Sequence, residues 1–143
     1  MSETENVALM KRWFEEVWNQ GKIETIHELL AKSAIGFGQR EHGRPTRGPE
    51  DFVEFATELR TAFPRVQVKI EDAFGYQDKV ITRWTADLTS PAGKTVTITG
   101  MTMVRIANGQ IVEGWDSWDQ LTMLLELGAV KMVSPQIVGA RAS

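Results

Sequence analysis

The sequence predicts an α+β domain in which a curved antiparallel sheet wraps a set of N-terminal helices. Apolar residues recur at helical spacing up to Phe63, and from Arg65 onward they alternate at every second position instead. The dipeptide Asn108-Gly109 adds the strongest short hairpin signal that a sequence offers. Helices first, then a meander of strands and a last helix, is an order typical of α+β domains.

Four helices frame the predicted sheet, three before it and one after it. The first stops at Gly21, and Pro49 opens the third because proline lacks the N–H that stays unbonded in the first helical turn. Pro64 ends the third helix, and Gly128 closes the fourth. The predicted ranges are 6–20, 23–30, 49–63 and 120–127.

The predicted strands are one short strand and an antiparallel meander. The short strand covers 34–39, and a loop punctuated by glycine and proline follows over 41–48. The meander has strands at 66–70, 80–88 and 95–106, and a last strand that begins at Ile111. We expect a single domain over 1–130 and a loosely held tail over 131–143.

Composition restricts the class of protein. A length of 143 residues suits one domain with room for a core and a pocket, and 42% apolar and 24% charged residues are ordinary for a globular protein. The net charge of -3 and the scattered basic residues argue against a nucleic-acid partner. The nearest basic cluster, Arg40, Arg44 and Arg47, is interpreted as part of a solvated loop.

The sequence gives little support to thiol, metal or membrane functions. Without cysteine, the chain has no disulfide scaffold and no thiolate. His27 and His42 lie far apart, on a helix and in a loop, so we expect no metal and no cofactor. The N-terminus is polar and no apolar run is long enough to cross a membrane, so we expect no membrane partner and a cytoplasmic location.

The last strand carries the candidate chemistry, in the stretch IVEGWDSWDQ. Strand alternation puts Asp116 and Trp118 on one face and Trp115 and Asp119 on the other. An aspartate that faces an apolar interior loses hydration, which raises its pKa from about 3.9 toward the range useful for proton transfer. The alternatives are that Asp116 points to solvent or binds a backbone amide near the final helix.

The hairpin defines the expected neighbours of Asp116. If Asn108 and Gly109 are the two turn residues, the simple register places Met101 opposite Asp116. Thr102 is then a diagonal or offset neighbour, depending on any bulge.

Asp119 precedes the final predicted helix, where its side chain can accept hydrogen bonds from the first-turn amides as an N-cap. Ser117 with Gln120 forms a competing capping box, which leaves the helix boundary open.

The five tryptophans allow two interpretations. Aromatic side chains contribute large buried areas, so these residues suit a core or a subunit interface. They also suit the lining of a cavity for a flat or hydrophobic ligand. The candidate wall positions are Trp18, Phe55, Trp84 and Trp118.

A set of motifs resembles the SnoaL-like polyketide cyclases, within the superfamily of nuclear transport factor two, ketosteroid isomerase and scytalone dehydratase. The motifs are WNQGK, EHG, RGPEDF, LRTAFP, MVRIANGQIVEGWD and LLELG, in an order and spacing that span residues 5–128. The resemblance implies a cone-shaped, cystatin-like α+β barrel with a deep interior pocket. It also implies a homodimer or a higher homo-oligomer.

The resemblance further implies a chemistry. The family's cyclases use an aspartate as acid and base in an intramolecular aldol ring closure without metal or cofactor, and the hairpin match places it on Asp116. Trp18 and Phe55 take pocket-wall positions. The family's histidine on the penultimate strand is replaced by Thr102, which donates one hydrogen bond but cannot shuttle a proton near neutral pH.

The leading hypothesis is a cofactor-independent lyase or isomerase, similar to polyketide cyclases or ketosteroid isomerase, that acts on a hydrophobic carbonyl compound. Asp116 would remove a proton α to the carbonyl, and Thr102 would orient the substrate or hold the carboxylate. The expected pocket residues are Trp18, Phe55, Trp84, Met101 and Trp118. The alternative is a non-catalytic module that binds a lipophilic small molecule.

Overall fold

The computed structural model describes residues 2–133 of the chain and confirms the α+β class. Its helices are α1 (Glu3–Trp13), α2 (Ile23–Leu29), α3 (Gly48–Ala62) and α4 (Gln120–Glu126). Its strands are β1 (Leu30–Phe37), β2 (Thr46–Arg47), β3 (Arg65–Tyr76), β4 (Lys79–Thr89), β5 (Thr95–Ala107) and β6 (Gln110–Trp118).

The strands form one curved, unclosed sheet in the order β2-β1-β6-β5-β4-β3. The four strands from β3 to β6 make the antiparallel meander that the period-two pattern predicted. The prediction of a purely antiparallel sheet is wrong at one edge, because β1 pairs with β6 in parallel. This pairing joins distant parts of the chain, so no turn sequence marks it.

The core lies between the inner face of the sheet and the helices α1 and α3. Alternate residues of β4 and β5 are buried, as half-buried strands require. Trp13 of α1 meets Phe52 of α3 edge to face, with ring centroids 5.2 Å apart. Helix α3 has proline in its first turn as predicted, at Pro49.

The first helix changes from α-helical to π-helical geometry before Gly21. Residues Phe14–Asn19 form a π-helical segment that continues α1, a rare form often found at functional sites. The side chain of Asn19 fixes its end to β3, since Oδ1 accepts from Val68 N at 2.6 Å and Nδ2 donates to Val68 O at 3.1 Å. Gly21 then leaves the helix with φ of +70°.

The connection between β1 and α3 differs from the predicted solvated loop. It contains a 3₁₀ turn, Glu41–Gly43, and the short strand β2. The side chain of Arg40 is only 8% exposed and contacts the acidic side chains of α3, including Glu58 Oε2 at 2.9 Å and Asp51 Oδ1 at 3.4 Å. The interpretation of Arg40 as a solvated residue is therefore wrong, because α3 carries its counterions.

Two further predictions concern the C-terminal tail and the absence of a membrane-spanning segment. Residues 134–143 of the predicted tail lie outside the described residues. Across residues 2–133, the structure has no helix that combines the length and the apolar character needed to span a membrane.

Candidate active site

Asp116 lies on the inner face of β6, as strand alternation predicted. Its register neighbours on β5 are not those of the simple hairpin. A bulge between Arg105 and Ile106 shifts the pairing by one position, so Thr102 lies directly opposite Asp116. The two side chains therefore share one face of the sheet.

The same bulge moves Met101 away from the site. Met101 pairs with Ser117 and lies on the outer face of the sheet, where it is 50% exposed. The predicted register that placed Met101 opposite Asp116 is wrong, and so is its expected position in the pocket wall. One inserted residue reverses the face on which every later side chain lies.

A chain of hydrogen bonds leads from β4 to the Asp116 carboxylate. Trp84 Nε1 donates to Thr102 Oγ1 at 3.0 Å, and Thr102 Oγ1 donates to Asp116 Oδ1 at 2.5 Å. An indole N–H can only donate, so the Thr102 hydroxyl must accept from Trp84 and direct its own proton to Asp116. Thr102 thus holds one carboxylate oxygen in place.

The second carboxylate oxygen is held by Gln39, which sequence reasoning missed as a site residue. Gln39 Nε2 donates to Asp116 Oδ2 at 2.5 Å, and Gln39 Oε1 accepts from Thr46 Oγ1 at 3.2 Å. Gln39 follows β1 and reaches Asp116 only because β1 pairs with β6. The one local signal was a glutamine beside glycine in GFGQ, which has no specific meaning alone.

The environment of Asp116 opposes its ionisation. Burial raises the pKa of the Asp116 carboxyl, while the hydrogen bonds from Thr102 and Gln39 lower it, and burial dominates. The residue as a whole is only partly buried, since it borders two cavities. The result is a carboxyl group of increased basicity that borders both cavities.

Two adjoining cavities meet at Asp116 and Thr102, with about 530 Å³ and about 490 Å³ of space, part of it continuous with solvent. The first lies under α1, β1 and β6, and Gln39 and Thr46 contribute its polar side chains together with Thr102 and Asp116. The second is lined by apolar residues of α3, β3, β4 and β5.

The structure brings four predicted wall residues to the second cavity: Trp18, Phe55, Trp84 and Trp118. Trp18 and Phe55 meet edge to face with centroids 6.1 Å apart. Trp118 Nε1 donates to Gly38 O at 2.8 Å, which fixes the indole against the end of β1. The wall is therefore aromatic on the helix side and on the sheet side.

Trp115 lies on the face that alternation predicted, and Asp119 caps the final helix, as its position before that helix predicted. Trp115 lies on the outer face and stacks on Phe37, with centroids 6.3 Å apart. Asp119 is the N-cap of α4, because its Oδ1 accepts from Thr122 N at 3.0 Å. The N-cap prediction for Asp119 is confirmed.

The described residues offer no metal centre of the ordinary kind. Between residues 2 and 133, no three His, Asp or Glu side chains converge on a point that could hold an ion. The polar side-chain groups that line the cavities are one carboxyl group, two hydroxyls, one primary amide and the indole N–H groups of the tryptophans.

The sequence and the fold of this chain are similar to those of known proteins. The chain matches the family model of the SnoaL-like polyketide cyclases over residues 8–127. A search of curated proteins finds no significant match.

Solved structures with the same fold include IdmH of Streptomyces antibioticus, a proposed polyketide cyclase. The two chains are 30% identical, the match covers 86% of this chain and 98% of IdmH, and the TM-score is 0.74. A proposed polyketide cyclase of Bacillus cereus ATCC 10987 is 26% identical over 90% of this chain and 83% of its own, with a TM-score of 0.79. A SnoaL-like protein of Jannaschia sp. CCS1 shares the fold at 23% identity, over 90% and 95% of the two chains, with a TM-score of 0.79.

Proposed function

The chain belongs to the SnoaL-like polyketide cyclase family, and from this premise we propose that it is a cofactor-independent lyase or isomerase. Its substrate is a hydrophobic carbonyl compound, and Asp116 is the general acid and base. The observation that carries the proposal is the chemistry of the cavity walls. Among the described residues that line the two cavities, Asp116 is the only one with an ionisable side chain.

The position of Asp116 supports proton transfer to and from a bound molecule. Its carboxylate removes a proton α to the carbonyl, and the electrons of the C–H bond pass into the enolate. In a ring closure, the α carbon forms a carbon–carbon bond to a second carbonyl carbon of the same molecule. The new alkoxide takes the proton from Asp116, which regenerates the carboxylate.

Thr102 acts in this scheme as an orienting group. Its hydroxyl proton is directed to Asp116 Oδ1 because Trp84 Nε1 donates to the hydroxyl oxygen. The Thr102 hydroxyl therefore holds the carboxylate at a fixed angle to the cavities and takes no proton itself. Positioning of this kind lowers the cost of reaching a reactive geometry.

A second candidate function is a binding module for a lipophilic small molecule. It is favoured because the hydrogen-bond donors near Asp116 are already bonded to protein acceptors. These donors are the side-chain N–H and O–H groups of Gln39, Trp84, Thr102 and Trp118. None of these four side chains has a donor free to stabilise an oxyanion, the contribution that is usually largest in carbonyl chemistry. Such a donor would have to come from the indole N–H groups of Trp13 or Trp18, which also line the first cavity. A binder would need only the aromatic walls.

A ligand screen followed by a turnover assay separates the two candidates. Hydrophobic carbonyl compounds are tested by tryptophan fluorescence, because Trp18, Trp84 and Trp118 border the second cavity. Each compound that binds is then incubated with wild type and with Asp116→Asn, and its products are followed by mass spectrometry. Conversion by wild type alone supports the lyase or isomerase; tight binding by both proteins without conversion supports the binding module.

The proposal includes a homo-oligomer formed through the outer face of the sheet. One cross-strand row of this face is apolar over five neighbouring strands, and we call it the outer apolar row. Its members, each paired with the next, are Phe37, Trp115, Met103, Ile81 and Phe74. Phe74 is 53% exposed and Trp115 is 37% exposed. The flanking rows carry both signs of charge, at Arg105 and Glu113 and at Arg83 and Asp72, which suits contact with a second copy.

A further inference from the structure

We propose that Gln39 is a positioning residue of the site, which holds the Oδ2 side of the Asp116 carboxyl so that the reacting lone pairs face the cavities. The role presupposes the proposed function, in which Asp116 is the reacting group. Gln39 acts through Asp116 and takes no part in bond making.

The orientation of the Gln39 amide is determined by three contacts. Nε2 donates to Phe37 O at 3.1 Å and to Asp116 Oδ2 at 2.5 Å, while Oε1 accepts from the Thr46 hydroxyl at 3.2 Å. A flipped amide would turn its oxygen toward two oxygen acceptors. Gln39 is 8% exposed, so water does not offer replacement partners. The amide N–H therefore faces Asp116 as a fixed donor.

The backbone beside Gln39 is equally constrained. Gly38 has φ of +97°, and a Cβ added there would lie 1.9 Å from Asp116 O. The carbonyl of Gly38 accepts from Trp118 Nε1 at 2.8 Å and from Gln120 Nε2 at 3.0 Å. The chain thus leaves β1 in direct contact with β6, which places the side chain of Gln39 over Asp116.

These contacts decide where a proton on Asp116 can reside. Thr102 donates to one carboxyl oxygen and Gln39 to the other, so each oxygen has a protein donor on one side. Neither partner can accept a proton from Asp116 while it keeps its own hydrogen bonds. A proton taken from a substrate therefore stays on the cavity side of the carboxyl group, in position to return to the same molecule.

No charged neighbour competes with this effect among the described cavity residues. Gln39 and Thr46 of the β1–α3 connection and Thr102 and Val104 of β5 line the first cavity together with Asp116. The residues of α1, its π-helical continuation and α3 that share the cavities are apolar or aromatic. The hydrogen bond from Gln39 lowers the pKa of Asp116 against the effect of burial. Its loss is expected to raise that pKa further.

The test is a ¹³C NMR titration of the Asp116 carboxyl group, whose signal is assigned by its loss in Asp116→Asn. In Gln39→Leu, a substitution of similar size without a donor, we expect the midpoint to move to higher pH. In Gln39→Glu, two carboxyl groups face each other, so we expect a two-step titration with one midpoint raised. An Asp116 midpoint equal to that of wild type in both variants would overturn the proposal.

Matched variants separate the hydrogen bond from a general disturbance of the loop. Gln120→Leu removes a hydrogen bond to Gly38 O without touching Asp116, and we expect its midpoint to equal that of wild type. A shift in Gln120→Leu as large as in Gln39→Leu would contradict the assigned role. Thr46→Val frees Gln39 Oε1 and is expected to shift the midpoint in the same direction by a smaller amount.

If Gln39→Leu fails to fold, Thr46→Val tests the role of Gln39 instead. An Asp116 titration midpoint in Thr46→Val equal to that of wild type would then overturn this role. The titration needs no substrate. Its failure is therefore distinct from a failure of the proposed function, which would appear as full turnover by Asp116→Asn.

Discussion

Thr102 Oγ1 donates to Asp116 Oδ1 at 2.5 Å across the last hairpin. The bond exists because a bulge in the hairpin makes the two residues direct neighbours. A hydroxyl at this point holds the carboxylate, so in the proposed reaction Asp116 alone transfers the proton.

Thr102→Val is expected to raise the pKa of Asp116, because it removes a hydrogen bond that favours the ionised form. It also leaves the buried Trp84 Nε1 without its acceptor, at a cost of about 1–3 kcal/mol. Chemical denaturation and a ¹³C titration of Asp116 measure the two effects. Thr102→Ser keeps the hydroxyl and serves as the control; a Val variant that behaves like the Ser variant would show that the hydroxyl does not act on Asp116.

The raised pKa of Asp116 predicts how the free energy of unfolding of the protein changes with pH. Since burial raises its pKa in the folded protein, the folded state binds this proton more tightly than the unfolded chain. The stabilisation is fully present below the unfolded pKa of about 3.9 and is lost as pH rises through the folded pKa. We therefore expect the free energy of unfolding of wild type to decrease relative to that of Asp116→Asn as the pH rises from the unfolded pKa to the folded pKa of Asp116. Denaturation curves at a series of pH values measure it, and a constant difference between the two proteins would contradict the raised pKa.

Gly38→Ala is expected to destabilise the protein more than Gly43→Ala. Both glycines have positive φ, +97° and +69°, so both variants bear the strain of a left-handed alanine. Only the Cβ at position 38 collides with the backbone, at Asp116 O, whereas that at position 43 meets nothing within 4 Å. Thermal denaturation of both variants checks the difference; equal losses of stability would mean that the contact between Gly38 and Asp116 is not tight.

The outer apolar row predicts the effect of a charge on assembly. Met103→Lys places an ammonium group in the middle of this row, and we expect the oligomer to dissociate. Leu121→Lys is the matched control, since Leu121 is 46% exposed on α4 outside the row. Sedimentation equilibrium gives the masses. A monomeric wild type, or an oligomer that survives Met103→Lys, would contradict the proposed interface.

The sequence predicted the parts of the site that depend on local periodicity. Strand alternation separates Asp116 from Trp115, and the residue before α4 identifies Asp119 as a cap. Two features were beyond local patterns. The bulge that brings Thr102 opposite Asp116 has no sequence signal in RIANGQIVE, and a single-residue shift was enough to misplace Met101.

Gln39 was beyond sequence reasoning for a different reason. It contacts Asp116 over a separation of 77 residues, because β1 pairs with β6 in parallel. A parallel pair is not joined by a hairpin, so no turn sequence predicts it. The burial of Arg40 has the same origin, since its acidic partners lie on α3. Contacts that depend on the assembly of distant elements have to be read from the structure.

In the proposed reaction, Asp116 transfers the proton. The most direct measurement compares kcat of wild type and Asp116→Asn at saturating concentrations of a hydrophobic carbonyl substrate. Asparagine is nearly isosteric but cannot act as a base, and general acid–base groups typically contribute about 10²–10⁴-fold. We expect kcat to fall by at least about 10²-fold while the substrate still binds. A kcat for Asp116→Asn within about threefold of wild type would contradict the claim.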